Sequence, residues 1–375
     1  METPLADLEQ RLLDAETRFL TAEKQHHLAA KRFRLLCGVA LAVIVGSILF
    51  ASRRPVLAQG ADLTTRVAAL EAKLAFLTTS GTEMVISGAN LHIVNGTGST
   101  ATKNKLGNLV IGYNEVRGDA GDVRTGSHNL ILGNQNSYSS WSGILTGAVN
   151  TISAPYACVE GGNGNTASGP YSNISGGYNN VASGNSTYIG GGGGNIASGP
   201  GASITGGSSN IASGASAAIS GGYANTASAN SAYVGGGENN QASGIASSIT
   251  GGYNNTTLGS MASISGGFQN QAKVGYSSVS GGQSNTANGV YSSVGGGQFN
   301  TVNGQWASVS GGYSNHANAN YSSASGGSSN TAVGAYSHVS GGYNNIAGGT
   351  NPNGDYTSVL GGSANNITTL YGHSP

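Results

Sequence analysis

An all-β parallel β-solenoid, a β-roll of 15-residue coils, is the fold class this sequence predicts, and three observations predict it. First, from residue 150 to residue 345 an asparagine recurs every 15 residues without a miss: Asn150, Asn165, Asn180, Asn195, Asn210, Asn225, Asn240, Asn255, Asn270, Asn285, Asn300, Asn315, Asn330 and Asn345. Second, Val or Ile follows nine residues later in nearly every repeat, as at Ile174, Ile204, Ile264, Val294 and Val339, with Ala324 breaking the line. Third, the chain of 375 residues holds 64 glycines, many paired just before the asparagine, while only 8% of its residues are charged. Collagen is excluded because the glycines lack an every-third-residue spacing. A formal net charge of zero removes the footprint of a nucleic-acid binder, and two cysteines cannot make a disulfide framework.

Taken in order, residues 1–34 predict a cytoplasmic amphipathic helix, with Leu5, Leu8, Leu12, Ala15, Phe19 and Ala22 stepping by three and four. Lys31, Arg32 and Arg34 lead into the uncharged run 35–52, which reads as a transmembrane anchor or the apolar core of a signal peptide. Either way the body is expected outside the cytoplasm. It is membrane-anchored if the segment stays, and secreted if cleavage follows Ala58, where Val56 and Ala58 supply the small residues of a cleavage site. Cys37 sits within the apolar run. Over 62–78, Leu63, Val67, Leu70, Leu74 and Leu77 are spaced 4, 3, 4, 3, the seam of a short coiled-coil neck.

From residue 82 the period changes to that of strands. Residues 82–145 are expected to form irregular β coils around Asn108–Gly112 and Asn129–Gly133, with the charge-rich stretch 115–125 extruded as a loop. Residues 146–350 form the regular array, and 351–375 a terminal coil and tail. Within a coil, alternation puts Ser277 and Val279 on one face, and Asn285 shares a face with Ala287. Coils stacked about 4.8 Å apart then place Val over Val, Ala over Ala and Asn over Asn, making a rod about 65 Å long. The buried asparagine amides are expected to bond from coil to coil. One Val and one Ala per coil offset little chain entropy, which points to self-association of parallel solenoids.

Strings such as Ala182-Ser183-Gly184-Asn185-Ser186 and Ala287–Val294 resemble the head repeats of trimeric autotransporter adhesins, the YadA-like heads. The resemblance covers about 146–365. It implies a left-handed roll, a homotrimer, and attachment to extracellular matrix. The chain departs from that family in its 15-residue rather than 14-residue repeat. It also departs in ending after Asn365-Asn366-Ile367 and a short tail, where the family has a membrane barrel, and in placing its neck before the head.

No enzyme is expected, and no cofactor or metal. From Thr146 onward the only charged residues are Glu160, Glu238, Lys273 and Asp355, too far apart along the stack to work together. His316 and His338 fall at unrelated positions in the repeat, and Cys158 occupies an outward position. Arg117-Gly118-Asp119 spells a tripeptide that integrins recognise, a weak attachment motif. Two aromatic stripes stand out. One comprises Tyr171, Tyr276, Tyr291, Trp306, Tyr321, Tyr336 and Tyr356; the other comprises Tyr178, Tyr223, Tyr253, Phe268, Tyr313 and Tyr343. Such stripes suit stacking on carbohydrate or packing between subunits. The function expected is a non-enzymatic surface adhesin or structural fibre. An ice- or surface-binding solenoid and a passive spacer are the alternatives.

Overall fold

The computed structural model describes residues 10–14, 16–18, 20–21, 23–25, 31, 63–349, 356–368 and 373–374. The described residues between 10 and 25 are helical, and the hydroxyls of Thr17 and Thr21 donate to the carbonyls of Leu13 and Thr17. The expected anchor, 35–52, with Cys37 and Ala58, lies outside the described residues. Among those described, no helix is long and apolar enough to cross a membrane.

Residues 1–91 and 92–375 form two separate compact units. In the first, the expected neck is shorter than its leucine spacing suggested. The helix spans Leu63–Lys73 and carries Leu63, Val67 and Leu70, while Leu77 opens a strand. That strand, Leu77–Ser80, pairs antiparallel with Glu83–Ile86 across a two-residue turn. Gly81 supplies the positive φ that such a turn requires at its first central position. The helix has already ended at Lys73, and the β-branched pair Thr78-Thr79 favours the strand.

The second unit is the solenoid. Each regular coil contributes two short parallel strands, and each strand pairs with its counterpart one coil away. One ladder runs from Leu109–Ile111 to His373–Ser374 and carries the Val/Ile line. The other runs from Ser137–Tyr138 to Asn366–Ile367 and carries the alanine line. A third column of single parallel bridges, Asn134↔Ala148 through Tyr343↔Ser363, pins the corner between them.

The repeat is not uniform. The opening step, Leu109↔Leu130, is 21 residues; the next are 14, Leu130↔Ile144↔Cys158 and Ser137↔Thr151, and the 15-residue step begins at Thr151↔Thr166. The step Val339↔Val359 is 20 residues, so that coil carries an insertion, and a 15-residue step to Ser374 follows it.

The core is a stack of four narrow columns. Val, Ile or Leu, as at Leu145, Ile204 and Val309, and Ala, as at Ala197 and Ala287, are fully buried. Asparagine forms the third column. Ala, Ser or Thr forms the fourth, for example Ala202, Ser247 and Ser277. Serine is tolerated there because its hydroxyl donates to a carbonyl three residues back, as Ser172 does to Gly169 and Ser277 to Val274. Thr257, an exception in the alanine line, donates to the Ser247 hydroxyl across the same coil at 2.9 Å.

Segment 115–125, expected to extrude, instead lies along the first coil. Arg124 bridges Tyr138 in parallel, and Tyr138 donates from its backbone N–H to the Val123 carbonyl. The charges explain this, because they are used to close the end of the stack, as described next.

Candidate interaction surfaces

Each asparagine of the array bonds from coil to coil, chiefly to backbone groups, and at Asn210, Asn255, Asn300 and Asn345 the amide also donates to the side-chain oxygen of the asparagine one coil before. The Asn165 N–H donates to the Asn150 carbonyl oxygen of the side chain at 2.8 Å. Its own amide donates to the Gly161 carbonyl at 3.2 Å and to the Gly177 carbonyl of the following coil at 2.9 Å. This pattern repeats to Asn345 and continues to Asn365. At a corner the chain turns out of the ladder, so its N–H and C=O groups need other partners, and one buried amide satisfies three of them. The asparagines are therefore structural, fully enclosed, and offer nothing to a ligand.

The Arg117-Gly118-Asp119 tripeptide is likewise tied to the fold at its basic end. The Arg117 guanidinium donates to the Gln135 carbonyl at 3.1 Å and the Asn150 carbonyl at 2.9 Å, and reaches the Thr151 hydroxyl. Asp119 caps its own turn by accepting the Gly121 N–H. Beside them Asp122 pairs with Arg124 at 2.9 Å and accepts the Arg117 N–H at 2.8 Å. Burial pushes the Asp122 carboxyl up, but those hydrogen bonds and the Arg124 charge outweigh it and hold it below the ordinary carboxylate value. Counting back one 14-residue step from Asn136, Asp122 occupies the asparagine position of the first coil.

The first aromatic stripe sits on a corner in the left-handed backbone region. Tyr171, Tyr276, Tyr291, Trp306, Tyr321 and Tyr336 all have φ between 57° and 62°. Their rings stack along the rod: Tyr276 on Tyr291 at 4.6 Å, Tyr291 on Trp306 at 3.9 Å, and Tyr321 on Tyr336 at 4.8 Å. Tyr336 stacks on Tyr356 at 4.9 Å. Tyr156, not anticipated from sequence, stacks on Tyr171 and meets the edge of Trp141. Trp141 and Tyr156 lie 30 and 15 residues before Tyr171, in the same 15-residue register, so the spacing that marks the rest of the stripe also marks them. Ring faces in this column cover one another, so the column presents edges and hydroxyls outward. That geometry disfavours sugar stacking along its length.

The second stripe differs. Its positions follow one another in the corner bridge column, and among its members only Tyr253 and Phe268 stack, at 5.3 Å. Tyr178, Tyr223 and Tyr343 stand about half exposed, and Tyr313, equally exposed, meets Phe299 edge to face at 5.7 Å.

A further surface was legible but not read from the sequence. Leu109-Val110-Ile111 and Leu130-Ile131-Leu132 do not alternate; they are apolar at every position. Ile131 and Leu145 point into the core, while Leu109, Ile111, Leu132 and Ile144 are exposed by 36–55% on the opposite face. Parallel strands apolar on both faces ordinarily have both faces covered. In the single chain, one face is not.

The outer face of the alanine ladder carries a row of serines, Ser153 to Ser243, beside Thr, Val, Ile and Gln without a continuous threonine row. His316 lies on this outer face; His338 lies on the other ladder near the Ser325 and Ser340 hydroxyls. Cys158 is a half-buried free thiol. Among the described residues no three His, Cys, Asp or Glu side chains gather as a metal site would require. No known family's model matches the chain, and no curated protein matches it either.

Proposed function

We propose that the chain is the subunit of a non-enzymatic surface fibre: a solenoid tethered through its N-terminal segment, displayed outside the cytoplasm, and associated side by side with copies of itself. The observation that carries this reading is the doubly apolar face of the first coils, Leu109, Ile111, Leu132 and Ile144. Covering these four side chains with a second copy removes apolar area from water at about 25 cal/mol per Å². The seam of Leu63, Val67 and Leu70 on the helix Leu63–Lys73 supports the same reading, since all three side chains stay exposed among the described residues. Three copies is the number suggested by the resemblance of the repeats to trimeric adhesin heads. In this reading the body serves attachment, and the stacked corner stripe with its outward hydroxyls packs between chains.

The test is chemical crosslinking of the full chain in its own membrane, with and without Leu132→Ser and Ile144→Ser together. Crosslinked multimers in the native chain that diminish in the double variant are expected. Multimers unchanged by the substitutions would remove these residues from the interface.

A further inference from the structure

We infer that the second aromatic stripe is a docking track for an extended, uncharged β-1,4-linked polysaccharide. This deepens the proposed fibre reading and rests on it, since the track must face the outside of the assembly. Four observations converge. The stripe is continuous, because Tyr178, Tyr223, Tyr253, Phe268, Tyr313 and Tyr343 belong to one unbroken series of in-register parallel bridges. Its rings are reachable from solvent. Tyr178 lies over Gly193, in the space a side chain there would fill, and stays about half exposed. Tyr313 and Tyr343 are each followed one coil on by a serine, Ser328 and Ser363, and both rings are about half exposed, with Phe299 meeting Tyr313 edge to face.

The spacing is the third observation. Tyr223 and Tyr253 are two coils apart, as are Tyr313 and Tyr343, which at the strand spacing is about 9.6 Å. That is close to the length of one disaccharide in an extended β-1,4 chain, where every second sugar offers the same face. A ring pair at this interval therefore meets alternate sugars of a single chain without bending it.

Hydrogen-bonding groups lie between the platforms. Glu238 separates Tyr223 from Tyr253, and Gln283 and Gln298 separate Phe268 from Tyr313, with the Gln298 amide donating to the Gln283 carbonyl oxygen at 3.0 Å. Ser328 separates Tyr313 from Tyr343. Carboxylate, amide and hydroxyl groups at sugar-sized intervals match the equatorial hydroxyls of a glucan or the acetamido groups of chitin. Glu238 is the only charged residue in the series, which suits a neutral glycan and not a sulfated one. The stacked corner column offers no comparable track, because its faces are already covered.

The experiment titrates the full chain, held in a detergent without a sugar headgroup, with cellohexaose and with chitohexaose by calorimetry. Sedimentation mass is measured on the same samples. Saturable binding of at least one oligosaccharide is expected, weakened about tenfold or more by Tyr313→Ala with Tyr343→Ala. Gln241→Ala, on the exposed outer face of the alanine ladder, should leave it unchanged. Preference for one of the two sugars assigns the polysaccharide class. Absence of binding to either by the native chain overturns the proposal and, if the multimeric mass is retained, leaves the fibre reading standing. A Tyr313/Tyr343 variant that falls apart into single chains also overturns it, because the stripe is then a subunit interface.

Discussion

At the scale of the residue, this fold depends on side chains that serve the backbone. Replacing Asn255 by Ala strands the Asn270 N–H and the Gly251 carbonyl inside the corner, while the Gly267 carbonyl keeps the Tyr253 N–H. With about 1–3 kcal/mol for each buried group left unpaired, the expected loss is at least ~2 kcal/mol in denaturant unfolding. Gly267 has φ of 93°, and a Cβ there would collide with the Gly282 carbonyl oxygen of the next coil. Here strain and lack of space coincide, so even alanine is excluded.

The stacked corner poses the opposite case. A non-glycine residue at φ near 60° costs about 1–2 kcal/mol, and one ring pair contributes about 0.5–1.5 kcal/mol. Tyr291 stacks on both neighbours, so the two contributions nearly cancel. Tyr291→Gly, which loses both, should therefore change unfolding stability by less than about 1 kcal/mol. Tyr291→Ala, which keeps the strain and loses the stack, should cost measurably more.

Asp122 gives a pH dependence. Its carboxyl titrates below the ordinary value in the fold, so its contribution is fully present above that value and is lost as pH falls through the folded one. Amide exchange in segment 115–125 should accelerate below about pH 4, and not between pH 5 and 8.

At the scale of the element, the coil is held by one large side chain, and where that side chain is missing the core divides. The buried apolar cluster running up the stack ends at Ala324, and a separate one begins at Ala332. Ala324 lies in register between Val309 and Val339. Ala324→Val should join the clusters and raise stability by roughly 0.5–2 kcal/mol, read as slower amide exchange in the coils beyond residue 324. An unchanged or faster exchange would mean the added methyls do not fit.

The same scale shows where sequence reading succeeds and where it stops. The inward Asn, Ala and Val lines were legible because period 15 and strand alternation act together on every coil, and chance does not sustain both. The neck was over-extended because leucine spacing continues through Leu77, although Gly81 and the two threonines before it dictate a hairpin. The role of Arg117 and Asp122 was illegible, because charge in a loop reads as solvated until the open end of a stack is there to be closed. The aromatic stripes could be placed in phase from sequence. Whether a ring's face was free could not, since that depends on what occupies the same position one coil away.

At the scale of the whole molecule, a nearly uncharged body, a core of small side chains and a doubly apolar base are the features on which the proposed association rests. The charge distribution agrees, with 26 of 30 charged residues before Thr146 and a body free of the repulsion that would keep neutral rods apart. The measurement that tests this most directly is sedimentation equilibrium of the full chain in density-matched detergent, together with the Leu132→Ser and Ile144→Ser variant. The account predicts a mass of several chains, three by the resemblance of the repeats, and a shift toward single chains in the variant. A native chain that sediments as a folded monomer across the concentration range would contradict it.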